Sequence, residues 1–306
     1  MGSIRGRDRR NPVLLVIHGG PGWVTMPTSW YFTPGWEEYF TVVQWDQRGA
    51  GKTYGANDPA AVAATLTVDQ MQRDADAMVQ WVRRELGQDR IALLGHSWGS
   101  ILGLDIARRH PEWLYAYIGV GQAIDMRESE RRGWAWAMAK ARDAGNAAAM
   151  ADLRSIAPYA EGPSPIPLDA VLLQRKWVNA FGGASYNRPD SSFEGAAVAL
   201  SPDYSDDDVR NVWTAQARSV ERLLPAVLDT DLSSLARLEV PVVLLLGRHD
   251  VNVSAEVAAE WFGRLDAPAK QLVWFEHSGH ELMVEEPGKT LLTLVEKVRP
   301  LATANR

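Results

Sequence analysis

The chain has 306 residues, 46% hydrophobic and 23% charged, with a formal net charge of −6 and no cysteine. That balance excludes disordered and fibrous proteins and argues against nucleic acid as the main partner. The lack of cysteine removes disulfides, thiolate nucleophiles and Cys-ligated metal sites together.

The first residues carry Arg5, Arg7, Arg9 and Arg10, read as a solvated tail. They do not read as a signal peptide, because the apolar stretch is short and His18 follows where small residues should precede a cleavage site. The longest apolar runs, such as 13–17 and 242–246, are strand-length, far below the ~20 residues that cross a bilayer. A soluble, cytoplasmic protein is expected.

Short apolar runs then alternate with helical patterns, the signature of a parallel sheet covered by helices on both faces. Strands are predicted at 12–18, 41–45, 90–94, 115–120, 241–246 and 270–275. A helix is predicted over 68–86, where Thr67 and Gln70 have capping-box spacing and Met71, Met78, Val82 and Leu86 share a face. Another runs over 98–109 and ends at His110-Pro111. Between 122 and 235 no strand pattern appears, while helical patterns cover 128–144, 147–156, 168–181 and 206–228. This stretch reads as a helical cap inserted into one α/β domain made of residues 1–121 and 236–306.

Gly95-His96-Ser97-Trp98-Gly99 falls where a strand ends and a helix begins. A sharp strand-to-helix turn holds a serine hydroxyl above the sheet edge, and the flanking glycines permit the turn. The Trp98 N–H then lies at a helix N-terminus, where unpaired donors and the dipole favour an oxyanion. A serine needs a base, and His18, His96, His110, His249, His277 and His280 compete. His96 is expected to point away from Ser97, His110 reads as a cation at a helix C-terminus, and His18 precedes every candidate acid. The α/β-hydrolase order of serine, acid and histidine leaves the last three. His280, in a Ser278-Gly279-His280 loop past the last strand, is favoured over His277, which reads as a loop-packing residue.

Asp250, in Gly247-Arg248-His249-Asp250 after the strand at 241–246, is the acid that would accept from the His280 ring and stabilise its imidazolium. In His18-Gly19-Gly20-Pro21-Gly22 the glycines let the backbone approach a substrate oxygen. By analogy with this fold the Gly20 N–H is the expected second oxyanion donor, with Gly19 as the alternative. Gly51-Lys52-Thr53 ends like a phosphate-binding loop, but Asp46 stands where its first glycine belongs and no clear helix pattern follows. Asp46-Gln47-Arg48-Gly49 therefore reads as a structural loop beside the site.

Together the stretches 18–22, 45–51 (WDQRGAG), 95–100 (GHSWGS), 247–250 and Gly279-His280 resemble the proline iminopeptidase family of α/β-hydrolases. The resemblance implies an α/β-hydrolase fold and a Ser97, Asp250 and His280 triad acting through an acyl-enzyme, with no metal or organic cofactor. It implies a small-molecule ester, amide or short peptide as substrate, and neither nucleic acid nor membrane as partner. The alternatives are a carboxylesterase without aminopeptidase activity and a non-catalytic ligand-binding protein on the same fold.

The chain departs from the family pattern in two places. The family typically carries Trp-x-x-Trp-Glu in its cap, where the acid helps hold the substrate amine; here Trp177 leads into Val178-Asn179-Ala180-Phe181-Gly182-Gly183. The elbow has His96 where the family often has glycine. Trp134, Trp136, Trp177 and Trp213 are expected to wall an apolar pocket. Asp206, Asp207 and Asp208 read as a solvated helix start, and arylesters are expected to outpace a proline arylamide. Relatives usually place two antiparallel strands before the one leading into 18–22, yet only eleven residues precede Pro12. The N-terminal strands are therefore expected to be shortened, leaving the strand at 41–45 near a sheet edge that either self-associates into a homo-oligomer or is shielded by residues 3–10.

Overall fold

The computed structural model describes residues 1–162 and 164–303. Seven strands, β1 (Gly2–Arg5), β2 (Val13–Ile17), β3 (Thr41–Trp45), β4 (Ile91–His96), β5 (Leu114–Val120), β6 (Val242–Gly247) and β7 (Lys270–Phe275), form one sheet ordered β1-β3-β2-β4-β5-β6-β7. β1 runs antiparallel to β3 and every other neighbouring pair is parallel. The central strands are continuous apolar runs because helices cover both faces. Val13, Leu15 and Ile17 join Ile91 and Leu93 in one core, while Leu14 and Val16 join Ala92 and Leu94 in the other.

Helix α1 (Val68–Glu85) starts where the Thr67 hydroxyl accepts from the Gln70 N–H, and it buries Met71, Ala75, Val79 and Val82. Helix α2 (Trp98–Arg109) follows β4 directly. Between β5 and β6 lie α3 (Met126–Asp143), α4 (Ala147–Ser155), α5 (Leu168–Ala180), α6 (Ser192–Ala199) and α7 (Asp206–Leu228); α8 (Ala255–Arg264) follows β6. Ala137, Met138, Ala141, Ala149, Leu153 and Val178 give α3–α5 an apolar cluster of their own. Ser205 and Asp208 close a reciprocal capping box at the start of α7, with Asp206 and Asp207 exposed, as befits carboxylates near a helix N-terminus. No described helix is long and apolar enough to cross a membrane.

Of the two expectations for the β3 edge, the structure shows the shielding one. Gly2–Arg5 pairs along β3, from Gly2 opposite Trp45 to Arg5 opposite Val42, so one short strand precedes Pro12 and supplies the shield. Beside that edge Arg5 pairs with Asp203 at 2.5 Å and Arg7 with Glu38 at 2.8 Å, charges of the kind that discourage further strand addition. The Gly51-Lys52-Thr53 segment differs from its expectation, since it begins a five-residue helix, Gly51–Gly55. The Lys52 N–H at its start donates to the Asp46 carboxylate at 2.7 Å, so the protein's own acid takes the place of a phosphate.

β2 lies between β3 and β4, so the chain turns one way across the sheet from β2 to β3 and the other way from β4 to β5. The loops following β2 and β4 diverge at the carboxyl ends of these strands and open the crevice in which ligands of open α/β sheets bind.

Candidate active site

Ser97 sits at the tip of the β4–α2 turn with φ 53° and ψ −122°, a left-handed conformation that a non-glycine residue adopts only when its surroundings impose it. They do so through several bonds. The Ser97 N–H donates to the Val120 carbonyl at 2.9 Å, while its own carbonyl accepts from the Ser100 N–H at 2.8 Å and the Ser100 hydroxyl at 2.6 Å. The turn also demands close approach: a Cβ on Gly99 would lie 2.2 Å from the Ile17 carbonyl oxygen, and one on Gly95 would lie 2.5 Å from that of Gly99. As the first helical residue, Trp98 has an N–H with no intrahelical acceptor.

The loop after β2 is braced from below. His18 is buried; its Nδ1 bonds the Gly19 carbonyl at 2.9 Å and its Nε2 accepts from the Gln47 N–H at 3.1 Å. Burial outweighs the Gly19 bond and lowers the His18 pKa to about 4, so the ring is neutral. Gln47 donates to the His18 carbonyl at 2.8 Å and accepts from the Trp98 indole at 3.0 Å, tying the loop to the elbow. The reading of 46–49 as a structural loop thus acquires a mechanism. Gly20, with φ +114°, opens on the same cavity as Ser97.

Asp250 follows β6 and His280 follows β7. The His280 Nδ1–H donates to Asp250 Oδ2 at 2.7 Å, and Asp250 Oδ1 accepts from the Val253 N–H at 2.9 Å. Burial disfavours the imidazolium, but the charge and hydrogen bond of Asp250 outweigh it, and the His280 pKa is raised. Gly121, with φ +52°, packs under this ring; a Cβ there would lie 2.9 Å from Cε1 and Nδ1. The main chain of the cap holds the two loops as well: His280 N–H donates to Ala184 at 2.6 Å and Val251 N–H to Gly183 at 3.0 Å. Glu285 accepts from the backbone N–H groups of Tyr186 and Gly279, and burial leads the effects that push its carboxyl up to about 7.

The cavity bounded by these groups has a volume of about 240 Å³, and Gly20, Ser97 and His280 all line it. Of the four cap tryptophans expected at the substrate, Trp213 lines it, tilted against Trp23 at 5.2 Å. The other three lie elsewhere. Trp134 donates to the Leu153 carbonyl at 2.9 Å, Trp177 donates to Asp152 at 3.0 Å, and both pack with Trp136 on the α3–α5 cluster, where helical spacing places core residues. His277 is held away by its backbone, its N–H donating to Glu286 at 3.1 Å. His249 stacks on Tyr186 and His110 on Trp113.

His96 differs from its expected position. Instead of pointing away, its ring lies 4.9 Å from that of His280 and lines the cavity. β4 continues through His96, two residues beyond the predicted strand end at 94.

Sequence reasoning missed three acidic residues in the lining, Asp190, Glu194 and Glu281. Glu194 is buried on α6, a helix whose run Phe193-Glu194-Gly195-Ala196-Ala197-Val198 has no polar face to reveal its period. A lone acid in an apolar octapeptide was the available signal. Burial, reinforced by Glu281 and Glu285 and opposed by Arg188, pushes its carboxyl up to about 9.

The chain belongs to the α/β-hydrolase fold family, whose model matches residues 12–287. Within that fold the chain is similar to aminopeptidases and proline iminopeptidases. A probable aminopeptidase of Bacillus subtilis is 28% identical over 299 residues, 97% of this chain and 92% of the relative. The proline iminopeptidase of Neisseria gonorrhoeae is 36% identical over 100 residues, 32% of this chain and 29% of its own. Among solved structures, a proline iminopeptidase-related protein from Thermus thermophilus superposes with a TM-score of 0.67 at 21% identity, covering 99% of this chain and 94% of that one. An esterase from a Rhodococcus species superposes at 0.59 with 18% identity, covering 99% and 94%, which is a likeness of fold.

Proposed function

We propose that the protein is a serine hydrolase of the aminopeptidase kind, cleaving a short amide or ester whose acyl part carries a free amine. The observation that carries this reading is the meeting of Ser97 and the Asp250–His280 pair with Asp190, Glu194 and Glu281 in one small cavity. His280 Nε2 takes the Ser97 proton as Oγ attacks the substrate carbonyl, and Asp250 holds the imidazolium that results. The N–H groups of Trp98 and Gly20 receive the oxyanion. His280 then passes its proton to the departing nitrogen or oxygen, and water, deprotonated by the same ring, releases the acid and restores Ser97.

The missing Trp-x-x-Trp-Glu motif suggested that the amine has no partner here. Glu281, next to the base in sequence, offers it one from another position. A cavity of about 240 Å³ suits one amino-acid residue and a small leaving group better than a long peptide. The likeness of the whole chain to a probable aminopeptidase supports the same reading. The decisive experiment compares amino-acid arylamides and arylesters with their N-acetylated forms. Loss of at least tenfold in kcat/KM on acetylation is expected, and equal turnover of both forms would overturn the amine requirement. The ester alternative has one observation in its favour, since Glu194 is held protonated at neutral pH and by itself presents no charge to an ammonium.

A further inference from the structure

One ring nitrogen of His96, one of His280 and one carboxylate oxygen of Glu281 lie within 4.8 Å of one another, in the lining of the cavity beside Ser97. Hydrogen bonding decides which lone pairs these rings have left. His280 gives its Nδ1–H to Asp250, so Nε2 is bare. His96 meets the His280 carbonyl through Nε2 at 3.2 Å; a carbonyl can only accept, so Nε2 carries the proton and Nδ1 is bare. That Nδ1 is buried and, among the described residues, has no hydrogen-bond partner. The Glu281 carboxylate makes no hydrogen bond or salt bridge among them either. An imidazole anchored through one nitrogen on a carboxylate or backbone carbonyl is the usual form of a metal-ligating histidine.

We propose that His96, His280 and Glu281 form an inhibitory site for a divalent transition-metal ion of the zinc class. The ion takes the His280 lone pair that would otherwise accept the Ser97 proton, so the inhibition rests on the base role given to His280 above. Two imidazoles and one carboxylate are donors that suit zinc and its neighbours, whereas magnesium and calcium prefer oxygen throughout. Bonds of about 2.0–2.1 Å to a tetrahedral ion set donors about 3.3 Å apart, so the three side chains must close in on the ion to complete the site, with water in the fourth position. No electron or group transfer is involved; metal and proton compete for one nitrogen.

The test titrates zinc chloride into the full chain, reading binding by calorimetry and turnover of an amino-acid arylester, with cobalt(II) absorption reporting the ligand field. One equivalent should bind, with loss of at least nine-tenths of turnover that a chelator restores. His96→Gln and Glu281→Gln should each weaken binding at least tenfold, with inhibition read against each variant's own metal-free rate. Should His96→Gln fail to fold, Glu281→Gln carries the test alone. No binding to the wild type, affinity unchanged in the folded variants, or binding that leaves turnover intact would overturn the proposal. Ser97 supplies no ligand, so Ser97→Ala must still bind zinc through the same residues. The binding result therefore stands apart from the hydrolase reading, which fails separately if Ser97→Ala keeps its turnover.

Discussion

On the floor of the cavity the polar groups are satisfied in pairs, His96 Nδ1 excepted, whereas on the roof Glu194 waits. Below, His18 holds Gly19 and Gln47, Gln47 holds His18 and Trp98, Ser100 holds Ser97 and Ala123, and Asp250 holds His280 and Val253. Above, Glu194 keeps an oxygen with no partner among the described residues and carries a strongly raised pKa. The contrast separates two tasks. Groups that stabilise a transition state gain most when they are fixed in advance, because no reorganisation is then left to do. Groups that choose a substrate are completed by that substrate.

The largest test of the floor is Ser97→Ala, expected to lower kcat by about a million-fold if the three residues act as a unit, with the thermal unfolding curve unchanged. It should also abolish labelling by a fluorophosphonate probe. Retention of a tenth of the activity would break the assignment of Ser97. His280→Ala should match that loss while His277→Ala keeps most activity; the reverse order would move the base to the neighbouring residue.

Gly121→Ala probes how rigid the floor is. Its Cβ must displace the His280 ring, and a shift of about 1 Å in a reacting group costs ~100-fold in kcat. KM should change little, because the residue is not part of the cavity lining. On the roof smaller effects are expected, and in KM. Glu281→Gln should weaken free-amine substrates about tenfold, the scale of one charge-assisted hydrogen bond, and leave N-acetylated ones unaffected. Glu194→Gln replaces a carboxyl already held protonated at neutral pH and should change KM less than about threefold there.

The pH profile sharpens the same division. In the proposed mechanism His280 works as a base only when neutral, and its pKa is raised above 6.5. Activity should therefore fall on acidification with a midpoint above 6.5, and Asp250→Asn should move that midpoint down as well as lowering the maximum. A midpoint below 6.5 in the wild type would show that Asp250 does not govern the ring.

The floor was also the legible part of the sequence. A strand, a turn and a helix follow one another in the chain around Ser97, and Asp250 and His280 each come directly after an apolar strand, so local pattern located them. The strands at 41–45 and 270–275 and the helices at 98–109 and 206–228 were predicted to the residue for the same reason. The roof was not legible, because its contributors are distant in sequence and locally unremarkable. Helix α6 has no amphipathic period, and Trp134, Trp136 and Trp177 look like pocket walls until α3, α4 and α5 close around them. His96 was misjudged because the strand runs two residues further than predicted, so that His96 belongs to the strand end and not to the turn.

The attachment of the His280 loop to the cap carries a mechanical consequence. His280 hangs from the Ala184 carbonyl by its own N–H, and Glu285 bridges Tyr186 to Gly279. The proposed base and the roof are thus joined: segment 184–186 and the loop that carries His280 are tied to each other through the main chain. In the proposed mechanism a displacement of segment 184–186 would therefore move His280 relative to Ser97. The two segments are joined through three main-chain donors, those of His280, Tyr186 and Gly279, none of which a sequence pattern displays.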